Sequence, residues 1–316
     1  MGRVLLSSLA MAVSAAAIAQ GASTGAAQPA ADPAPAPAAA GIPGVIAAGT
    51  QAQVLRTGFK GTEGVIAMPD GSMLFCEFDA NRIIHIDRSG NFSTYLEDAN
   101  RSIGLGLDRK GRLIAAQSRE PRIGVLAPAR VTLADTFEGQ PLVRPNDIVI
   151  DRRGGIYFSD PIPSPQIQFR EPPPGRKPLL FYITPDGKLT KLTEAVTQPN
   201  GVQLSTNGKV LYAVNGDHIA AFDVQPDGSV KNPRRFAEVA GGDGLAVDSK
   251  DRLYVATSQG IRVVSPAGQV LGLIPTPGRV QSIAFGGADR KTLYAVGGGA
   301  VYRIPLLTRG VRGRAK

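Results

Sequence analysis

The sequence is short of the residues that make disulfides, soft metal sites and stacking surfaces. It holds one cysteine (Cys76), two histidines and no tryptophan in 316 residues. A lone cysteine excludes an internal disulfide, and three soft ligands in the whole chain argue against a zinc or copper site built on them. Aromatic residues are only 6% of the chain, which does not suit base stacking, so the net charge of +9 is read as solvated surface. A basic tail at residues 309–316, with Arg309, Arg312, Arg314 and Lys316, is part of that surface, and no nucleic-acid partner is expected. No Gly-x-Ser-x-Gly elbow lies in the repeat region; the one match, Gly21-Ala22-Ser23-Thr24-Gly25, falls in an Ala-, Pro- and Gly-rich stretch with no predicted strand before it. No ordered Ser, His and Asp set is present either, so serine-hydrolase chemistry has no support.

Long apolar runs are also scarce. The one at the N-terminus follows Arg3, covers residues 4–17, and ends in the small-residue segment Ala17-Ile18-Ala19. That pattern predicts a cleaved signal peptide over residues 1–19, too short for a permanent membrane span, and hence a periplasmic or secreted protein. Residues 20–50 are mostly Ala, Pro, Gly and Ser and read as a disordered linker.

What is present is a repeat. Glu63-Gly64, Ile103-Gly104, Asn146-Asp147, Asn200-Gly201, Asp243-Gly244 and Ser282-Ile283 each open a short apolar run, a polar turn and a second apolar run. These openings lie 40, 43, 54, 43 and 39 residues apart, the spacing of propeller blades. Turn segments such as Pro69-Asp70-Gly71 and Thr206-Asn207-Gly208 supply the positive φ of tight hairpins. The last repeat holds three strands, and Gln53-Val54-Leu55 near the start of the repeat region is placed to give the fourth. The expectation is an all-β, six-bladed β-propeller over residues 51–308, closed by that clasp and monomeric.

Register then assigns a face. If each opening begins an innermost strand, Glu63, Ile103, Asn146, Asn200, Asp243 and Ser282 ring one end of the central channel. A second polar ring is expected 14 or 15 residues later, at Glu77, Gln117, Asp160, Asn215, Thr257 and Gly297, with Asp160 and Asn215 facing substrate. Two carboxylates and two carboxamides converging on an axis are costly to bury unpaired, and a divalent cation removes that cost. The oxygen donors Glu63, Asn146, Asn200 and Asp243 suit Ca2+ first, with Mg2+, Mn2+ or Zn2+ as alternatives. The long third interval carries a Pro-rich insertion, residues 162–178, placed to overhang this face as a lid.

With Glu63-Gly64, Arg144-Pro145-Asn146-Asp147, Tyr157-Phe158-Ser159-Asp160-Pro161, Gln198-Pro199-Asn200-Gly201-Val202, Gly242-Asp243-Gly244 and Phe285-Gly286-Gly287, the chain resembles the senescence marker protein-30/gluconolactonase/regucalcin-like propellers. The resemblance implies a metal held by Glu63, Asn146, Asn200 and Asp243, with Asp243 as catalytic base. It also implies substrate contacts from Arg144 and Asn146. The implied activity is opening of a small-molecule lactone. The pocket departs from the family pattern at Val65-Ile66, at Ile103 and at Ile162-Pro163. A non-catalytic ligand- or protein-binding propeller with a structural metal, or an esterase or phosphotriesterase using the same residues, are the competing readings.

Overall fold

The computed structural model describes residues 36–163, 171–313 and 316, and the signal-peptide expectation lies outside them. Among the described residues no helix forms, and none is long and apolar enough to cross a membrane. Six four-stranded antiparallel sheets follow one another along the chain. The first is Thr62–Ala67, Met73–Glu77, Arg82–Ile86 and Phe92–Leu96, and the third is Ile148–Ile150, Ile156–Asp160, Leu179–Ile183 and Leu189–Thr193.

The sixth sheet closes the ring as the sequence predicts. Ser282–Gly286, Thr292–Gly297 and Ala300–Pro305 pair in order, and Gln53–Arg56 adds as the outermost strand. Gln53 faces Arg303 and Val54 faces Tyr302 across that clasp. The clasp pairs the start of the propeller with its end, leaving no blade incomplete.

Six buried apolar clusters sit between neighbouring blades, one at each blade–blade interface. Between blades one and two, Ile66, Leu74 and Cys76 pack against Leu105, Leu113 and Ala115. Both faces of each inner strand are therefore apolar, which is why these strands read as continuous apolar runs rather than alternating ones.

Two expectations at the chain ends are corrected. Residues 36–50, assigned to the linker, pack onto blades five and six: Ala36, Ala39, Ile42, Val45 and Ile46 are buried with Tyr254, Ile274 and Phe285. Small Ala side chains and a turn closed by Ile46 N–H donating to Ile42 C=O let this segment lie close against the sheet edges. The tail is not simply solvated either. Ser249 N–H donates to Arg309 C=O, Gly310 N–H donates to Arg290 C=O, and Lys316 is buried at one end of the channel.

Candidate active site

The inner strands all begin at one end of the channel. Asn146 N–H donates to Ser159 C=O and Asp243 N–H donates to Ala256 C=O, each at 2.9 Å, so the second strand returns to the same end. In blades one, two and four the ladder register slips at the opening, between Glu63 and Ile66, Ser102 and Leu105, and Pro199 and Val202. Such irregularities re-aim side chains, here toward the axis.

The glycine after the opening residue lets blades crowd together. A Cβ on Gly64 would lie 2.1 Å from Ile103 O, and one on Gly201 would lie 2.1 Å from Asp243 O. Each ring residue is thus held against the backbone of the next blade. In blade three, where Asp147 stands in place of glycine, its carboxylate instead accepts from Val202 N–H of the next blade at 3.0 Å.

One small pocket is lined by all six opening residues together with Asp147. Glu63 is 8% exposed and Asp243 7%. Glu63 Oε1 accepts from Gln281 Nε2 at 2.7 Å, and Asp243 Oδ2 faces Arg279 Nη2 at 3.3 Å. The Asn200 amide also donates to the Asp243 carboxylate. Burial, and then the neighbouring charge of Asp243, pushes the Glu63 carboxyl well above the usual range. Burial raises Asp243 too, with Arg279 pulling the other way. Two buried carboxylates that destabilise each other's charged form need a positive partner.

A cation fits that need. Asn200 Oδ1 is buried with no hydrogen-bond partner, an acceptor left for something the protein does not supply. Among the described residues no cluster of three or more His, Cys, Asp or Glu could hold a metal alone. A cation here would thus draw on the carboxamides of Asn146 and Asn200 beside Glu63 and Asp243, a hard-oxygen set of the kind Ca2+ takes. Ser282, also on the ring, is otherwise engaged, its Oγ accepting from Val65 N–H at 3.1 Å.

The second polar ring corrects the sequence reading. Asp160 is fully buried, and it accepts from the N–H groups of Val143 and Arg144 and from Arg176 Nη2 at 2.7 Å. Asn215 Oδ1 accepts from the N–H groups of Thr197 and Gln198, each at 3.0 Å. Glu77 accepts from Lys60 N–H in the same way at 2.8 Å. These side chains turn back onto the loop that leads into their own inner strand, so they position the first ring rather than meet substrate. At the sixth position, Gly297, a Cβ would lie 2.4 Å from Arg279 O: the loop fills the space itself.

Arg144 stays at the mouth. It is partly buried, its Nε lacks a partner, and burial lowers its pKa while Glu63 and Asp243 act to raise it. Asn146 is half-buried on the ring. The insertion is anchored by Arg176 on Asp160, while its residues 164–170, part of the predicted lid, lie outside the described residues. Arg279 and the Gln281–Glu63 bond escape a reading based on blade register. Arg279 stands three residues before Ser282, close to the offset of Arg144 before Asn146, and that offset was its only signal.

A wider cavity at the other end of the channel is lined by residues 105–109, 148–152, 311–313 and Lys316. It contains no ring residue. From that side Lys316 Nζ reaches inward and donates to the carboxylate of Asp147, which lines the ring pocket.

Comparison with known proteins gives the chain its relatives. Residues 61–297 match the SMP-30/gluconolactonase/LRE-like region. A gluconolactonase of Zymomonas mobilis is 25% identical over 300 residues, covering 84% of each chain. Lactonase drp35 of Staphylococcus haemolyticus is 32% identical over 145 residues, 42% of each chain. The solved structure of a gluconolactonase from Xanthomonas campestris superposes with a TM-score of 0.75 at 26% identity, covering 86% of this chain and 97% of that one.

Proposed function

The chain belongs to the SMP-30/gluconolactonase/LRE-like family, and on that premise we propose that it is an exported, divalent-metal-dependent lactonase. The observation that carries the reading is the convergence of Glu63, Asp243 and the unpartnered Asn200 Oδ1 in one pocket. The names of the relatives support the reaction class.

Glu63, Asn146, Asn200 and Asp243 would hold the cation, with Ca2+ the first candidate. When bound, it supplies Lewis acidity toward the lactone carbonyl and stabilises negative charge on its oxygen.

The remaining work falls to side chains. Asp243 takes a proton from the attacking water as that water's oxygen bonds to the carbonyl carbon. The ring C–O bond then breaks, and the leaving alkoxide takes up a proton, giving the open hydroxy acid. Gln281 fixes one Glu63 oxygen, which holds the ring's geometry while charge shifts. Arg144 presents a guanidinium to substrate oxygens, its backbone pinned by Asp160.

The test is hydrolysis of sugar and aliphatic lactones by chelator-treated protein with Ca2+, Mg2+, Mn2+ or Zn2+ restored. Acid release that depends on a metal and is lost in Asp243→Ala is the expected result. A folded, metal-binding protein that opens no lactone would contradict it.

A further inference from the structure

The mouth of the ring carries more positive charge than the ring needs. Arg279 lies on the turn before the blade-six inner strand, its side chain 58% exposed. Its link to Asp243 is one long contact of 3.3 Å rather than a two-pronged fork. Arg144, two residues before Asn146 of the ring, feels the charge of Glu63 and also of Asp243 and Asp79, and its buried Nε has no partner. The next arginine along, Arg101, is by contrast paired with Asp79.

Charge balance shows what is left over. Glu63, Asp243 and Asp147 bring three negative charges to the pocket, and Lys316 answers Asp147 from the far end. A divalent cation held by Glu63 and Asp243 balances both of them. Arg279, exposed at the opening, and Arg144, whose Nε is buried without a hydrogen-bond partner, then have neither Glu63 nor Asp243 left to neutralise. Guanidinium forks match carboxylate and phosphate oxygens in shape as well as charge.

We propose that Arg279, acting with Arg144, selects lactones that carry an acidic substituent, carboxylate or phosphate, in addition to the ester being opened. This rests on the lactonase reading above and adds its substrate class. Arg279 is the specificity-determining residue, because it is exposed and only loosely held, so substrate oxygens can take the place of Asp243 at little cost.

The test compares three probes on the metal-loaded full chain: neutral glucono-1,5-lactone, glucaro-1,4-lactone and 6-phosphoglucono-1,5-lactone. The wild-type protein is expected to favour one charged lactone over the neutral one by about tenfold or more in kcat/KM. The preferred arm tells carboxylate from phosphate. Arg279→Gln is expected to cut that preference by about tenfold, mainly through KM, and Arg279→Lys to retain part of it. A preference unchanged in Arg279→Gln, or a wild-type preference for the neutral lactone, overturns the inference and leaves the lactonase reading standing.

Binding gives a separate readout that needs no turnover. Calorimetric titration of the metal-loaded protein with open-chain glucarate, 6-phosphogluconate and gluconate asks whether the second acidic group is recognised. Selective weakening of either doubly acidic ligand in Arg279→Gln supports the inference even if no lactone is opened. Equal weakening of all three, or none, overturns it.

Discussion

Asp160 Oδ1 accepts a hydrogen bond from the backbone N–H of Arg144 at 2.6 Å, so a fully buried carboxylate sets the position of a residue at the mouth of the channel. The same carboxylate pairs with Arg176, whose side chain is only 7% exposed. Loss of Asp160 would strand a buried guanidinium and free the segment leading to Asn146. Asp160→Ala is expected to cost about 3–5 kcal/mol in denaturant unfolding. It should also lower lactone hydrolysis, while Asp160→Asn, which keeps one acceptor, loses less of both.

Gly201 makes a different kind of demand. A Cβ there would fall 2.1 Å from Asp243 O, and backbone cannot move aside as a flexible side chain can. Gly201→Ala is expected to destabilise by about 1–3 kcal/mol or more, as overpacking does. Gly201 has no positive φ, so its substitution tests the clash alone, whereas Gly208→Ala, where a Cβ meets nothing within 4 Å at φ +74, tests backbone strain alone. Chemical unfolding of the two variants separates the terms, and cation affinity should fall in the first alone.

The unpartnered Asn200 Oδ1 predicts a thermal signature. A ligand present at a hundred times its Kd stabilises by about 2.7 kcal/mol, so Ca2+ should raise the wild-type Tm and a chelator should reverse it. Asn200→Ala is expected to abolish most of that rise. An equal rise in the variant would place the cation elsewhere.

Lys316, entering from the far end of the channel, reaches Asp147 of the ring pocket, and their side chains are 6% and 10% exposed. Lys316→Met leaves that carboxylate to the N–H groups of Ile148 and Val202. Unfolding measurements should show a loss of about 1–3 kcal/mol, the range for an under-satisfied buried group. No loss would mean that the tail does not dock.

The fold was legible because each blade repeats one physical problem. Tight hairpins need Gly or Asn at set positions, and inner strands need a glycine where the next blade's carbonyl presses in, as at Gly64. Even the clasp by Gln53–Arg56 followed from a final repeat one strand short. Ring residues such as Glu63 and Asp243 stood out because they share that register. Register alone could not tell a side chain aimed at the axis from one turned back on its own loop, which is how Asp160 and Asn215 came to be expected at the substrate. Arg279 and Lys316 lie outside the repeat, and composition alone made residues 36–50 look like a linker although Ile42, Val45 and Ile46 are buried.

The central claim is that Glu63, Asn146, Asn200 and Asp243 hold a divalent cation. Anomalous diffraction from crystals of the Mn2+-loaded protein tests it most directly. The account predicts one strong peak within coordination distance of all four side chains, lost in Asp243→Ala. A peak bounded by other residues, or none at saturating Mn2+, would contradict it.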